Sequence, residues 1–131
     1  MPVVSAFYAA LTAVLSVVLA DLVIRQRMTK RISVGDGNDS ALLRATRAFG
    51  NFSEYAALVI VLLALAELLG ISKLWLHVYG TVFILGRVIH ALGMSLTLKA
   101  NVGRTIGVAA THITMIALAI SLLVVVWPKI G

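Results

Sequence analysis

The chain alternates between long apolar segments and short polar connections. The apolar segments run roughly over residues 3–24, 48–69, 74–98 and 105–127. Each is close to the ~20 residues that a helix needs to cross a ~30 Å hydrocarbon layer. Because the last two connections are short, successive helices are expected to pack antiparallel. The pattern predicts an all-α integral membrane protein, a single up-and-down bundle of four transmembrane helices over residues 1–131.

The composition supports the membrane assignment and limits the chemistry. Hydrophobic residues make up 61% of the 131 residues and charged residues 12%, far from the average of soluble domains. The absence of cysteine excludes a disulfide framework, a cysteine-bound metal and a cysteine nucleophile, so any thiol must come from a ligand. No pair of histidines has convincing metal spacing, and no metal is predicted.

The formal charge of +6 could suggest nucleic acid as a partner, but the basic residues cluster at the ends of the apolar segments. The first and third connections and their flanks carry most of them, namely Arg25, Arg27, Lys30, Arg31, Arg44, Arg47, Lys99 and Arg104. The opposite side has only Lys73 and Lys129. This asymmetry predicts that the connections 25–47 and 99–104 are cytoplasmic and both termini outside. The first segment lacks the basic start of a signal peptide and is expected to stay as a helix. A bacterial inner membrane is the expected location, with an internal eukaryotic membrane as the alternative.

A polar stripe runs into the second apolar segment. Its four residues are spaced by three, four and three positions, which places them on one helix face: Arg44, Arg47, Asn51 and Glu54. An aromatic hydroxyl, that of Tyr55, follows directly. The stripe offers guanidinium forks for carboxylates, an amide with donors and acceptors, and a carboxylate that can hold an ammonium group. A zwitterionic ligand with two carboxylates and one amine suits this set.

Two ionisable residues fall inside the predicted membrane layer. At about 1.5 Å per residue, Glu54 and Arg87 both lie roughly 10–15 Å from the cytoplasmic boundary and could meet at one level. His90 shares the helix face of Arg87, and His112 falls at a comparable depth, where a packed, hydrogen-bonded role is expected. Such groups are retained where they face an interior, a cavity or a partner charge. A purely structural ion pair between Glu54 and Arg87 is the plain alternative to ligand binding.

These segments resemble the family of membrane-associated proteins in eicosanoid and glutathione metabolism, MAPEG. The segment from Arg44 to Tyr55 carries the most specific resemblance, and the segment from Arg87 to Gly93 and the basic turn that ends in Arg104 also look like the family's pattern. The resemblance covers essentially the whole chain. It implies a homotrimer of four-helix subunits that binds glutathione between neighbours, near the cytoplasmic side of the membrane.

The resemblance also implies a set of site residues. Residues that match Arg47, Asn51, Glu54 and Tyr55 contact glutathione in that family, and basic residues at the ends of helices one and four surround its thiol or its carboxylates. The predicted glutathione-binding residues are Arg27, Arg31, Arg44, Arg47, Asn51, Glu54, Tyr55, Arg87 and His90. Arg104 is assigned to thiolate stabilisation, because an adjacent guanidinium favours the thiolate of a thiol whose ordinary pKa is about 8.5.

The implied activity is that of a glutathione transferase or peroxidase. Glutathione is the co-substrate, and the thiolate attacks a lipophilic electrophile or a lipid hydroperoxide that arrives from the bilayer. Mammalian relatives place aromatic hydroxyl residues along helix three where this chain has His90 and Met94. Glutathione binding is therefore better supported than either activity, and a leukotriene substrate is not supported.

Two other function classes stay open from the sequence. A small proton-coupled exporter would need an intramembrane carboxylate, and Glu54 could be its proton site. In a non-enzymatic membrane scaffold, the stripe would only fix how the subunits align with one another. Arg47→Ala would then disrupt assembly without changing any ligand affinity. For Arg44, Arg47 and the basic residues around Arg27, anchoring at the cytoplasmic membrane surface is the alternative to ligand contact.

Overall fold

The apolar segments form four α-helices in a computed structural model that describes residues 1–130. Helix α1 spans Val3–Lys30, α2 spans Ser40–Leu68, α3 spans Lys73–Leu96 and α4 spans Val102–Ile130. All four are long and apolar enough to cross a membrane, and residues 1–130 contain no β-strand. The predictions of an all-α fold and of a multi-pass integral membrane protein are confirmed.

The first two helices extend beyond the apolar segments at their basic ends. Helix α1 continues past residue 24, and α2 begins at Ser40 rather than near residue 48. Asp39 caps α2, because its carboxylate accepts hydrogen bonds from the backbone N–H groups of Ala41 at 2.9 Å and Leu42 at 2.8 Å. Lys30 pairs with the same carboxylate, and this hydrogen bond lowers the pKa of Asp39. Caps therefore set the helix ends, whereas hydropathy marks only the part that crosses hydrocarbon.

Arg27 holds the connection between α1 and α2. Its Nη1 donates to the carbonyl oxygens of Ile32, Ser33 and Gly35 at 3.4, 3.2 and 3.0 Å. Arg31 ends α1 in the left-handed conformation, with φ of 55°. The guanidinium of Arg27 is thus occupied by the backbone of the turn that follows its own helix.

The opposite end of the bundle is tied together by Glu67. Its carboxylate accepts hydrogen bonds from the backbone N–H groups of Val4 at 2.9 Å and Ser5 at 2.7 Å, and also from the Ser5 hydroxyl. A carboxylate at a helix N-terminus satisfies donors that have no partner within the helix. Nearby, the hydroxyl of Tyr8 donates to the carbonyl of His77 at 3.0 Å. These contacts join the start of α1 to the end of α2 and the start of α3.

Glycines form the contact between α3 and α4. Gly86 and Gly93 on α3 face Gly107 and Gly103 on α4, respectively. A Cβ atom at Gly107 would lie 2.5 Å from the Gly86 carbonyl oxygen and 2.5 Å from the His90 Cβ. Small residues let membrane helices approach closely in this way. The close approach fixes the first turns of α4 against the last turns of α3, where the candidate site lies.

Candidate functional site

A groove of about 510 Å³ lies between α2, α3 and α4, near the basic end of the bundle. It brings together four of the residues predicted from sequence: Arg47, Asn51, His90 and Arg104. The other lining residues are Met94, Ala100, Thr105, Val108, Ala109 and His112. The volume falls in the range of roughly 300–1,000 Å³ that is typical of small-molecule sites.

Arg104, on the α4 wall, is held at both its backbone and its guanidinium. The Oδ1 of Asn101 accepts the backbone N–H of Arg104 at 3.0 Å, and the Nδ2 of Asn101 donates to the carbonyl of Gly93 on α3 at 2.7 Å. The Nη1 of Arg104 donates to the carbonyls of Leu98 at 2.6 Å and Lys99 at 3.0 Å. Its Nε and Nη2 make no hydrogen bond to residues 1–130. The turn therefore fixes this cation while leaving donors for a ligand.

His112 completes the α4 wall. It is exposed at the groove, and its Nε2 lies 3.4 Å from the Tyr55 hydroxyl, with the two rings edge to face at 5.5 Å. The expected packing and hydrogen bond are present through Tyr55, but His112 is not buried in the bundle and instead lines the groove. Residues 104, 108 and 112 repeat at intervals of four, so helical spacing from Arg104 was the signal that could have placed it in the site.

Arg87 lies behind the groove wall and contacts Asn51. Its side chain is 1% exposed, and its Nη1 donates to the Oδ1 of Asn51 at 3.0 Å. The guanidinium carbon also lies 5.8 Å from the centroid of the Tyr55 ring, within cation–π range. Because a guanidinium can only donate, it fixes the amide orientation of Asn51 and leaves the Nδ2 group as a donor for a ligand. Arg87 is therefore a positioning residue and does not line the groove.

The groove has an uncompensated positive charge within one chain. Arg47 and Arg104 line it, Arg87 lies beside it, and the ion pair between Lys30 and Asp39 is the only one in residues 1–130. The Nε and Nη2 atoms of Arg87 are buried and have no hydrogen-bond partner in that range. These atoms do not line the groove, so Arg87 adds positive charge behind the groove wall without contacting a ligand there. The groove therefore favours an anionic ligand.

The expected meeting of Glu54 and Arg87 does not occur within one chain. Arg87 points between α2 and α3 to Asn51, whereas Glu54 is on the exposed side of α2 and does not line the groove. Spacings of three, four and three residues leave the stripe spread over roughly 80° of the helix. The stripe is therefore divided, and only Arg47 and Asn51 of its four polar residues line the groove.

The other basic residues predicted for glutathione lie in separate clefts. Arg27 and Arg31 line a shallow cleft of about 300 Å³ along the turn after α1. Arg44 lines a third cleft of about 200 Å³ between α1 and α2. Tyr55 contacts His112 at the edge of the groove. Within one chain, the groove is thus lined by fewer residues of the predicted site than the sequence indicated.

The fold and the groove define a multi-pass membrane protein with a cationic groove among its helices. The sequence matches the MAPEG family over residues 5–124, a range that includes every lining residue of the groove. The inner membrane protein YecN of Escherichia coli K12 is 40% identical over 90 residues, which is 69% of each chain. YecN of E. coli strain CFT073 matches equally. The chain belongs to the MAPEG family.

Proposed function

We propose that this protein binds glutathione in the groove and uses it as a transferase or peroxidase. The observation that carries the proposal is the convergence of Arg47, Asn51, His90 and Arg104 on one groove in a MAPEG chain. Glutathione has two carboxylates, one amine and one thiol. A cationic groove without an internal counter-charge suits the carboxylates and, above all, a thiolate.

Each groove residue has a distinct role in this proposal. The exposed guanidinium of Arg47 binds a carboxylate, and the Nδ2 of Asn51 donates to a carbonyl or carboxylate oxygen of the tripeptide. The free donors of Arg104 stabilise the thiolate, which lowers the pKa of the bound thiol from its ordinary value of about 8.5. His90 is 4% exposed and contributes to the floor of the groove.

The reaction requires a second substrate from the bilayer. In conjugation, the thiolate sulfur forms a bond to the electrophilic carbon of an apolar compound and displaces a leaving anion such as a halide. In peroxide reduction, it bonds to a peroxide oxygen as the O–O bond breaks, which gives glutathione sulfenic acid and an alkoxide that leaves as the alcohol after protonation. A second glutathione then reduces the sulfenic acid, with formation of glutathione disulfide and water. Both substrate classes partition into lipid, whereas glutathione comes from water. A groove near a membrane boundary lets the two meet.

The assembly that we propose is a homotrimer of up-and-down, antiparallel four-helix subunits with glutathione between neighbours. Contacts between early α3 and late α4, such as Tyr79 with Ser121 at 2.9 Å, and between late α3 and early α4 support the antiparallel arrangement. Glu54 supports association, because a carboxylate exposed on a membrane-spanning helix needs a cavity or a partner charge. In a trimer, Glu54 of one subunit can hold the glutathione amine or a neighbour's cation. Arg27, Arg31 and Arg44 keep their predicted role only at such an interface.

The membrane location that we propose is a bacterial inner membrane, with the connections between α1 and α2 and between α3 and α4 in the cytoplasm. The excess of Lys and Arg at those connections and the similarity to an inner membrane protein support it. The groove then opens toward the compartment that holds glutathione. The fold does not support the alternative of a proton-coupled exporter, because Glu54 does not line the groove.

Arg47→Ala is expected to weaken glutathione binding about tenfold or more, because hydrogen bonds to charged groups contribute about 1.5–3 kcal/mol. Isothermal titration calorimetry of the purified protein in detergent measures the affinity. Arg25→Ala is the matched control, since Arg25 is exposed on α1 and does not line the groove. Unchanged affinity with loss of the oligomer in Arg47→Ala would favour the scaffold alternative and contradict the proposal.

A further inference from the structure

A second cleft, of about 200 Å³, lies at the basic end of the bundle, apart from the glutathione groove. It is formed by α1, by the first turns of α2 and by the end of α3. Its lining residues are Leu19, Leu22, Gln26, Ala41, Arg44, Ala45, Ala48 and Ser95. None of them lines the glutathione groove, and only Arg44 has a role in the proposed function, at a subunit interface.

The polarity of the cleft changes in the same direction along both of its walls. On α1, Leu19 lies deepest and Gln26 lies about 10 Å nearer the membrane boundary at 1.5 Å per residue. On α2, which runs toward the membrane interior from Ser40, Ala48 lies deep and Arg44 lies one turn nearer the boundary. The cleft is therefore apolar at depth and polar at its mouth. This gradient matches a ligand with a charged head and an apolar chain.

The polar mouth has unused hydrogen-bonding capacity. The Nη1 of Arg44 makes a single long contact of 3.4 Å, with the Ser40 hydroxyl, and no carboxylate of residues 1–130 pairs with this arginine. The side chain of Gln26 is half-buried and makes no hydrogen bond within residues 1–130. One cation and one amide thus both line the mouth of the cleft, at the basic end of the bundle.

The α1 wall of the cleft opens to the bilayer between the mouth and the deep end, where Leu19 and Ala48 are buried. Leu22 is 44% exposed and continues the exposed apolar surface of α1 at Val18. A volume of about 200 Å³ is too small for a whole phospholipid. It suits a headgroup and the adjoining part of one chain, with the rest of the lipid along the surface of α1.

We propose that this cleft binds the headgroup of an anionic bilayer phospholipid. The phosphate accepts hydrogen bonds from Arg44 and Gln26, and the first methylene groups of the chain pack against Leu19 and Ala48. Basic pockets between helices near the cytoplasmic surface bind anionic headgroups in this way. A free phosphate would use only the mouth of the cleft and leave its apolar depth unfilled, so the lipid is the better occupant.

Native mass spectrometry of the protein in detergent, with equal amounts of phosphatidylglycerol and phosphatidylcholine, tests the proposal. The wild-type protein is expected to retain phosphatidylglycerol selectively. Arg44→Gln is expected to weaken that binding about fivefold, as for the loss of one cation near a lipid surface. Ala45→Leu keeps the charge but narrows the cleft, and it should weaken binding in the same direction. The neighbouring Arg25→Gln should change it less than twofold.

Three results would overturn the proposal. One is equal retention of the two lipids by the wild-type protein, and another is equal loss in Arg44→Gln and Arg25→Gln. The third is displacement of the bound lipid by glycerol phosphate at equal concentration, which would indicate a free-anion site. Glutathione affinity, measured on Ala45→Leu, separates this cleft from the groove: a parallel loss of glutathione binding would assign the cleft to the glutathione site and contradict the lipid assignment.

Discussion

Arg104→Ala is expected to lower kcat/KM for glutathione conjugation about 100-fold, the lower end of the effect of removing one oxyanion-hole donor in other enzymes. The reason lies in how the chain holds this side chain. Asn101 caps α4 through the backbone of Arg104, and two loop carbonyls accept from Nη1. The free donors of the guanidinium therefore need no reorganisation before they contact the thiolate.

Turnover with an aryl halide and with an alkyl hydroperoxide measures this effect for both activities. Most of the loss should appear in kcat at saturating glutathione, because the variant still binds the tripeptide through Arg47 and Asn51. Arg104→Lys should lie between the wild type and Arg104→Ala, since lysine keeps the charge but lacks the planar fork that two carbonyls hold here. A kcat/KM in Arg104→Ala within twofold of the wild type would contradict the role of Arg104 in stabilising the thiolate.

Arg87→Met is expected to weaken glutathione binding about tenfold while leaving the protein at least as stable as the wild type. The buried guanidinium has two nitrogen atoms without a partner in residues 1–130, so replacement by an apolar side chain of similar length removes an unsatisfied charge. The gain in unfolding free energy is expected to be about 1 kcal/mol. The loss of affinity follows because Asn51 is no longer held in one orientation.

Thermal unfolding in detergent measures the stability of Arg87→Met, and calorimetry measures its affinity for glutathione. Together they test whether the change weakens binding without lowering stability. Arg25→Met is the control for an arginine-to-methionine change outside the site, and it should alter neither quantity. Arg87→Lys keeps a charge but cannot hold the amide of Asn51 and contact Tyr55 at the same time, so binding should stay weak. Strong destabilisation of Arg87→Met with unchanged affinity would make Arg87 a structural residue and contradict its positioning role.

The hydrophobic pattern was sufficient to predict the four helices, but not where they end. Crossing hydrocarbon requires long apolar segments, and these are visible in the sequence. The ends of α1 and α2 depend instead on the pairing of Lys30 with Asp39 and on the capping of Ala41 and Leu42. These contacts join residues on two sides of a turn, and no local periodicity contains them.

The candidate site was predictable in part, because helical spacing gives depth and face but not the rotation of one helix against another. Arg47 and Asn51 were placed in the groove by their spacing and by the family resemblance. Equal depth suggested that Glu54 and Arg87 meet, yet the orientation of Arg87 is set by packing between α2 and α3. The rotation of α4, which brings His112 to the groove, depends on the glycine contact with α3. That contact required a structure.

Glutathione titration of the purified wild-type protein in detergent, followed by the ultraviolet absorption of the thiolate at neutral pH, tests the proposed function most directly. We expect saturable thiolate formation that is largely lost in Arg104→Ala and unchanged in Arg25→Ala. Binding without thiolate would leave a glutathione-binding site but contradict the assigned role of Arg104. No binding at millimolar glutathione would contradict the proposed function itself.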